Sequence, residues 1–215
     1  MFASVKTLSR EVPIDPVHAA LLIIDVQNYC VGDKAEVSEY FQQSFRETVL
    51  PNIRRLQLAC RRGGIEVVYS VIENMTRDGR DRSLDYKVTG IDVAHGSWDA
   101  EVVDEIAPGD DEMVFRKTSS NVFISTNIDY VLRNLGVRSL IVTGLMTDQC
   151  VESAVRAACD LGYLVTLVTD ACTTKTAERH EQSLIGIRGY CRQRTTEELV
   201  TEIETVARRD ESPGN

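Results

Sequence analysis

Two kinds of apolar pattern alternate along this chain. Ala19 to Ile24 (AALLII) is apolar without a break, as in a parallel strand covered on both faces. Thr48 to Arg62 then carries Val49, Ile53, Leu56 and Cys60 at spacings of three and four, which predicts a helix ended by Gly63-Gly64. Ile65 to Ile72 (IEVVYSVI), rich in β-branched residues, predicts a second strand, and Met113-Val114-Phe115 a short third. Between them, Trp98 to Ile106 predicts a short helix with Ser97 at its N-cap.

The second half repeats the rhythm. Thr126 caps a predicted helix whose apolar face is Ile128, Val131, Leu132 and Leu135, with Gly136 at its C-terminal stop. Ser139 to Thr143 (SLIVT) predicts a fourth strand. Thr147 precedes a helix with Val151, Ala154, Val155 and Ala158 inward and Gly162 at its end. Leu164 to Thr169 (LVTLVT) predicts a fifth strand and Thr176 to Arg188 a helix with a thin apolar face. Gly189-Tyr190-Cys191 is expected to open a sixth strand. Thr195 and Glu198 form a capping box for a last helix facing inward through Leu199, Ile203 and Val206.

Repeated strand–helix units without an internal repeat or linker predict an α/β protein, three-layer α/β/α, around a mostly parallel six-stranded sheet. The expected organisation is an N-terminal extension over 1–16, one domain over 17–208 and a disordered tail over 209–215. A chain of 215 residues suits a single core of this kind.

Composition removes alternatives. Apolar residues make up 43% and charged residues 27%, the mix of a folded globular protein. The net charge of −9 argues against a nucleic-acid partner, which needs a local excess of Lys and Arg. The first residues, MFASVKTLSREVPIDP, lack the apolar segment of a secretory signal, and the run Ala19 to Ile24 is too short to cross a bilayer, so no membrane partner is expected. Six cysteines occur without a C-x-x-C pair, which predicts a reducing, cytoplasmic setting over a disulfide framework.

Ligands of open α/β sheets bind beyond the carboxyl ends of the strands. Three reactive side chains fall there: Asp25 after the first strand, Lys117 at the end of the third, and Cys150 after the fourth. Taken singly, each has a plain structural reading: a small buried hydrophobe for the cysteine, a surface lysine, an acid with some polar partner. Their joint placement favours chemistry. With Thr147 as N-cap, Cys150 would be the third residue of its helix, where the helix dipole and a nearby Lys117 ammonium favour thiolate. First-turn N–H groups would serve an oxyanion, and Asp25 would take and return the thiol proton. Cys30, Cys60, Cys159, Cys172 and Cys191 read as ordinary buried thiols.

The segments LLIIDVQN (21–28), VFRKTSSNVF (114–123) and VTGLMTDQCVESAVRAACDLGY (142–163) resemble the isochorismatase-like cysteine hydrolase family. Gly96-Ser97-Trp98 and Asp170-Ala171 fit the same pattern, and the likeness runs from about residue 17 to 208. The resemblance implies a triad of Asp25, Lys117 and Cys150, a non-proline cis peptide at Leu145–Met146, and an oxyanion hole from the N–H groups of Met146 and Cys150. It also implies a homo-oligomer, a dimer or tetramer.

Within the family, nicotinamidase-type members carry Asp and several His residues around a metal after the second strand. Here that stretch is Glu73-Asn74-Met75-Thr76-Arg77-Asp78, and the histidines are His18, His95 and His180, so no metal and no organic cofactor are expected. Isochorismatases cleave a vinyl ether without a thiol and typically have glycine where Cys150 stands. The cysteine therefore favours hydrolysis of an amide or ureido C–N bond in a small molecule, and the chain looks nearest to ureidoacrylate and N-carbamoyl hydrolases. The long 73–96 connection mixes Arg77, Arg80, Arg82 and Lys87 with Asp78, Asp81 and Asp85, mostly a solvated charge run. Arg77 is the candidate for a substrate carboxylate. Asn74 is the candidate for a ureido or amide group, and Gln27, Tyr29, Phe123 and Arg116 are candidate pocket residues.

Overall fold

The computed structural model describes residues 9–31 and 37–210, with no side-chain detail for 207–210. Residues 1–8 of the expected extension and 211–215 of the expected tail lie outside the described residues. Six strands, β1 (Ala19–Ile24), β2 (Glu66–Ile72), β3 (Met113–Lys117), β4 (Ser139–Leu145), β5 (Leu164–Thr173) and β6 (Arg192–Arg194), form one all-parallel sheet in the order β3-β2-β1-β4-β5-β6. The helices are α1 (Asn28–Val31), α2 (Glu39–Ser44), α3 (Leu50–Arg62), α4 (Leu84–Thr89), α5 (Val122–Ser125), α6 (Ile128–Asn134), α7 (Glu152–Asp160), α8 (Ala177–Ile187) and α9 (Thr196–Asp210). The fold is the expected α/β/α sandwich. Among the described residues no helix is long and apolar enough to cross a membrane.

The strands explain the two cores. Side chains alternate across a strand, and β1 is buried along its whole length. Ala19, Leu21 and Ile23 face one helical layer, against Phe41 of α2, Ile53 and Leu56 of α3, and Leu199 and Ile203 of α9. Ala20, Leu22 and Ile24 face the other, against Val122 of α5, Leu132 of α6, Val155 of α7 and Ile187 of α8. Each fully buried aliphatic side chain contributes about 1.5–3 kcal/mol.

Several local expectations are corrected. The helix expected over 48–62 is the last part of a longer body: Ser38 caps α2, and a π turn over Phe45–Val49 joins it to α3. Trp98 to Ile106 is not a helix. It forms two 3-10 turns, Trp98–Ala100 and Asp104–Ile106, because the backbone between them pairs with β1's exit: Val102 bridges Gln27, and Val103 N–H donates to Val26 O. Ser97 gives no side-chain cap there, since its hydroxyl donates to Ala94 O. The 73–96 connection contains α4, whose N-cap Ser83 accepts from Tyr86 N–H and whose C-cap is Gly90 in the left-handed region.

Further along, Asn127, not Thr126, is the N-cap of α6, and Leu135 at its end is 42% exposed. Strand β3 runs two residues past Phe115, and β5 continues to Thr173 past a register shift opposite Val142 and Gly144. Gly189-Tyr190-Cys191 precedes β6 and lies outside it. Thr176 caps α8 and the Thr195–Glu198 capping box forms as expected. Helix α9 runs through Asp210, beyond the expected boundary at 208.

Candidate active site

Strand order reverses direction of growth between β1 and β4, and a crevice opens at such a switch point. Asp25 stands directly beyond β1. Its backbone is left-handed (φ 54°), a conformation that costs a non-glycine residue about 1–3 kcal/mol. Two bonds to β2 hold it: Asp25 N–H donates to Ser70 O at 2.9 Å, and Ser70 Oγ donates to Asp25 Oδ1 at 3.1 Å. Lys117 is the last residue of β3 and has no exposed surface. Its Nζ lies 2.9 Å from Asp25 Oδ2 and donates to Cys150 Sγ at 3.4 Å, Ser119 O at 3.0 Å and Tyr86 Oη at 2.9 Å. The three residues drawn from distant strand ends therefore meet.

Cys150 arrives by a tightly built turn. Gly144, with φ at 118°, lies so close to β1 that a Cβ would fall 2.1 Å from Ile24 O. The Leu145–Met146 peptide is cis, as the family resemblance implies. A π turn over Thr147–Val151 then leads into α7, and its N-cap is Met146. This corrects the expected cap. Thr147 is the first residue of the turn, and its buried Oγ1 meets His180 Nδ1 at 2.8 Å, so Cys150 is fourth and not third. His180 of α8 thus reaches this turn, and burial lowers its pKa below the usual value for histidine. Asp148 accepts from Thr174 Oγ1 at 2.5 Å and from Arg179 Nε at 2.6 Å, which ties the turn to β5's exit and α8.

The thiol's ionisation also differs from expectation. Burial, and after it the Asp25 carboxylate, push Cys150 up to about 12, against the smaller opposing pull of Lys117. The resting group at neutral pH is a thiol. Burial would lower Lys117, but Asp25, Cys150 and Tyr86 outweigh it and raise the lysine, which stays an ammonium. A second thiol shares this field: Cys30 in α1, read from sequence as an ordinary buried cysteine, is raised by burial and then by Asp25 and Cys150.

The expected pocket residues divide. Gln27 is fully buried and its amide is already used: Nε2 donates to Ile72 O and Asp99 O, each at 2.9 Å, and Oε1 accepts from Ile72 N–H at 2.6 Å. It braces β1's exit and has no free N–H for a substrate. Arg116 points outward to Glu73 at 2.6 Å. Asn74 is buried and donates to Asp92 at 2.6 Å. Tyr29 packs against a small cluster of Ile72, Tyr86, Val93 and Ala100, next to the triad. Phe123 packs toward Tyr163, ring centroids 6.1 Å apart. Arg77 is exposed, with no ion pair among the described residues, whereas Arg80 and Arg82 pair with Asp78 and Asp92. Among the described residues no three His, Cys, Asp or Glu side chains group as metal ligands. A groove of about 700 Å³ along the outer side of β3, lined by Met75, Phe115 and Ile124, holds none of the triad.

Tyr86 and Ser119 are contacts that sequence reading missed. Tyr86 is the one tyrosine between Glu73 and Gly96, three residues after a serine able to cap a helix. That pairing was the available signal.

The profile of the Isochorismatase domain matches residues 19–198. The chain belongs to the isochorismatase family. Within the family it is 27% identical over 204 residues to the ureidoacrylate amidohydrolase RutB of Acinetobacter baylyi, covering 86% of this chain and 83% of that one. It is 30% identical over 176 residues to RutB of an Enterobacter species, covering 73% and 75%. A cysteine hydrolase from Pseudomonas syringae pv. phaseolicola shares the family fold with a TM-score of 0.81 at 24% identity, over 91% of this chain and 96% of that one. The N-carbamoylsarcosine amidase of Thermoplasma acidophilum gives 0.70 at 22%, over 83% and 96%. The likeness to ureidoacrylate hydrolases expected from sequence is thus matched, and the N-carbamoyl hydrolase shares the fold.

Proposed function

We propose that the protein hydrolyses a C–N amide or ureido bond of a small metabolite through a thioester on Cys150. The observation that carries this reading is the Lys117 ammonium, 2.9 Å from Asp25 Oδ2 and 3.4 Å from Cys150 Sγ, with all three groups shielded from water. Amidohydrolase relatives at 27–30% identity support the bond type.

In this mechanism Asp25 takes the thiol proton as sulfur attacks the substrate carbonyl, because a thiol raised to about 12 needs a base. Lys117 faces both groups and stabilises the negative charge as it passes from the carboxylate to the sulfur. The N–H groups of Met146 and Cys150 hold the oxyanion. Met146 O accepts the N–H groups of Gln149 and Val151, which flank Cys150 and keep the turn rigid around it. The C–N bond breaks, and Asp25 passes its proton to the leaving nitrogen. Water then gives a proton to Asp25 and adds to the thioester. The C–S bond breaks and the proton returns to Cys150.

Four side chains are assigned to the substrate. Asn74 spends one N–H on Asp92 and offers its side-chain carbonyl to a ureido or amide N–H. Tyr29 and Phe123 supply apolar walls, and Arg77, unpaired among the described residues, takes a carboxylate.

The test is an ammonia-release screen over ureido acids, carbamoyl amino acids, maleamate, biuret and nicotinamide, with isochorismate assayed in parallel. The expected result is turnover of a ureido or amide compound that drops by roughly 10³-fold or more in Cys150→Ala. Retained turnover in Cys150→Ala, or cleavage of isochorismate alone, would overturn covalent C–N hydrolysis in favour of vinyl-ether cleavage.

A further inference from the structure

Lys117 carries three protons and has four acceptors in reach, one more than its N–H groups can serve singly. Three of them are Tyr86 Oη at 2.9 Å, Ser119 O at 3.0 Å and Cys150 Sγ at 3.4 Å. The fourth, Asp25 Oδ2, pairs with the same nitrogen at 2.9 Å and has no other hydrogen-bond partner among the described residues. An oxygen held by one shared donor keeps a lone pair for the thiol proton.

Tyr86 differs from the other members in its origin. Asp25, Lys117 and Cys150 come from strand exits, whereas Tyr86 comes from α4, in the long connection between β2 and β3. It is fully buried, and Lys117 Nζ lies 5.5 Å from its ring centroid. Having accepted a Lys117 proton, the hydroxyl still has its own to donate, and Cys150 Sγ lies 3.9 Å away. Helix α4 is fixed at its start by Ser83, whose Oγ accepts from Tyr86 N–H and whose N–H donates to Thr118 O, next to Lys117.

We propose that Tyr86 is a positioning residue that tunes proton transfer between Cys150 and Asp25: it draws one Lys117 proton away from Asp25 Oδ2 and offers its own to the sulfur as thiolate forms. This rests on the covalent reading above and goes beyond it, since α4 becomes part of the proton-transfer network. The network is complete only while α4 is seated over the site.

The sign of the effect follows from the groups present. Facing Asp25 are Lys117 from β3, Cys150 from the π turn, Cys30 from α1, Tyr86 from α4, and the uncharged Ser70 from β2. In Tyr86→Phe the freed Lys117 proton is shared among the remaining acceptors, and the sulfur loses a donor, so thiolate is disfavoured and iodoacetamide labels Cys150 more slowly at a given pH. kcat/KM falls by about 10- to 100-fold, the range of one hydrogen bond to a charged group. A merely structural role would lower activity without slowing the labelling of Cys150 in the folded protein.

The experiment is the pH profile of kcat and kcat/KM for Tyr86→Phe on the substrate found by the screen, with iodoacetamide labelling of Cys150 followed over the same pH range. Slower labelling across the range, with kcat lowered more than KM is raised, supports the proposal. Labelling at the wild-type rate overturns it. Should Tyr86→Phe fail to fold, Ser83→Ala carries the test: it keeps the phenol, loosens α4, and is expected to slow labelling by less, with unchanged labelling again overturning the proposal. The two readings fail separately. Undiminished turnover in Cys150→Ala sinks the covalent chemistry, whereas wild-type labelling of Cys150 in Tyr86→Phe sinks only the role of Tyr86.

Discussion

Lys117 and Gln27 are both buried without exposed surface, and each is stable there because protein groups replace all of its water. For Lys117 those groups include Asp25 and Cys150, the partners assigned to it in the proposed chemistry. For Gln27 they are main-chain groups of Ile72 and Asp99, so its role is to fix the strand exit that carries Asp25. Gln27→Ala would leave the buried Ile72 N–H without its acceptor and take a donor from Ile72 O and from the part-buried Asp99 O. The expected loss is about 2–4 kcal/mol of stability, read as a lower midpoint in urea unfolding. A stability change under about 0.5 kcal/mol with a raised KM would instead return Gln27 to the substrate-contacting role that its sequence position suggested.

At the scale of elements, the decisive unit is the turn between β4 and α7. Gly144 at φ 118° permits β4 to approach β1 more closely than any side chain allows, and the β5 register shifts opposite it. Gly144→Ala would place a methyl group 2.1 Å from a main-chain oxygen. Because backbone, not a flexible side chain, is struck, the expected result is loss of soluble folded protein or destabilisation above about 4 kcal/mol, measured by circular dichroism and thermal melting. A folded, active Gly144→Ala would show that the turn relaxes. This is also where sequence reading loses resolution. The strands were legible because β-branched apolar runs have few alternatives; Asp25 and Lys117 were legible because they stand at strand ends, and Cys150 because it follows the turn after one. The stripe Phe41, Phe45, Val49 and Ile53, four apart, was a usable helix signal, but the polar residues between them and the π turn hid its start. The helix expected over 98–106 failed because long-range pairing with Val26 and Gln27 outweighed a weak local preference. Tyr86 was hidden for a related reason: its helix is short, and its meaning depends on a lysine far away in sequence.

Across the whole molecule the two ends of the sheet do different work. The carboxyl ends of β1 and β3 and the turn after β4 hold Asp25, Lys117 and Cys150, and strand order, which local patterns do not encode, sets the crevice between β1 and β4. Near the opposite end of β3 lies a polar network with no hydrogen bond to Asp25, Lys117 or Cys150. Glu112, just before β3, accepts from Arg61 of α3 at 2.7 Å through both oxygens, from Tyr69 of β2 at 3.0 Å and from Gly109 N–H at 2.8 Å; Gln57 of α3 donates to the same tyrosine at 2.6 Å. Burial raises Glu112, but Arg61, the Gly109 amide and Tyr69 outweigh it, so its pKa is held below the ordinary carboxylate value. A carboxyl group depressed in the folded state adds stability that is present above its unfolded value, about 4.3, and lost as pH falls through the lower folded value. Glu112→Gln is therefore expected to cost about 1–2 kcal/mol near neutral pH, with the difference from wild type shrinking as acid protonates Glu112 in both states of the wild-type chain. Urea unfolding of both proteins across that range measures the convergence. Because the network stands at the amino end of β3 and Lys117 at its carboxyl end, kcat/KM at neutral pH should stay unchanged while stability falls. A large drop in kcat/KM from a fully folded Glu112→Gln would mean that β3 transmits a displacement along its length to Lys117, and the separation of the two ends would be wrong.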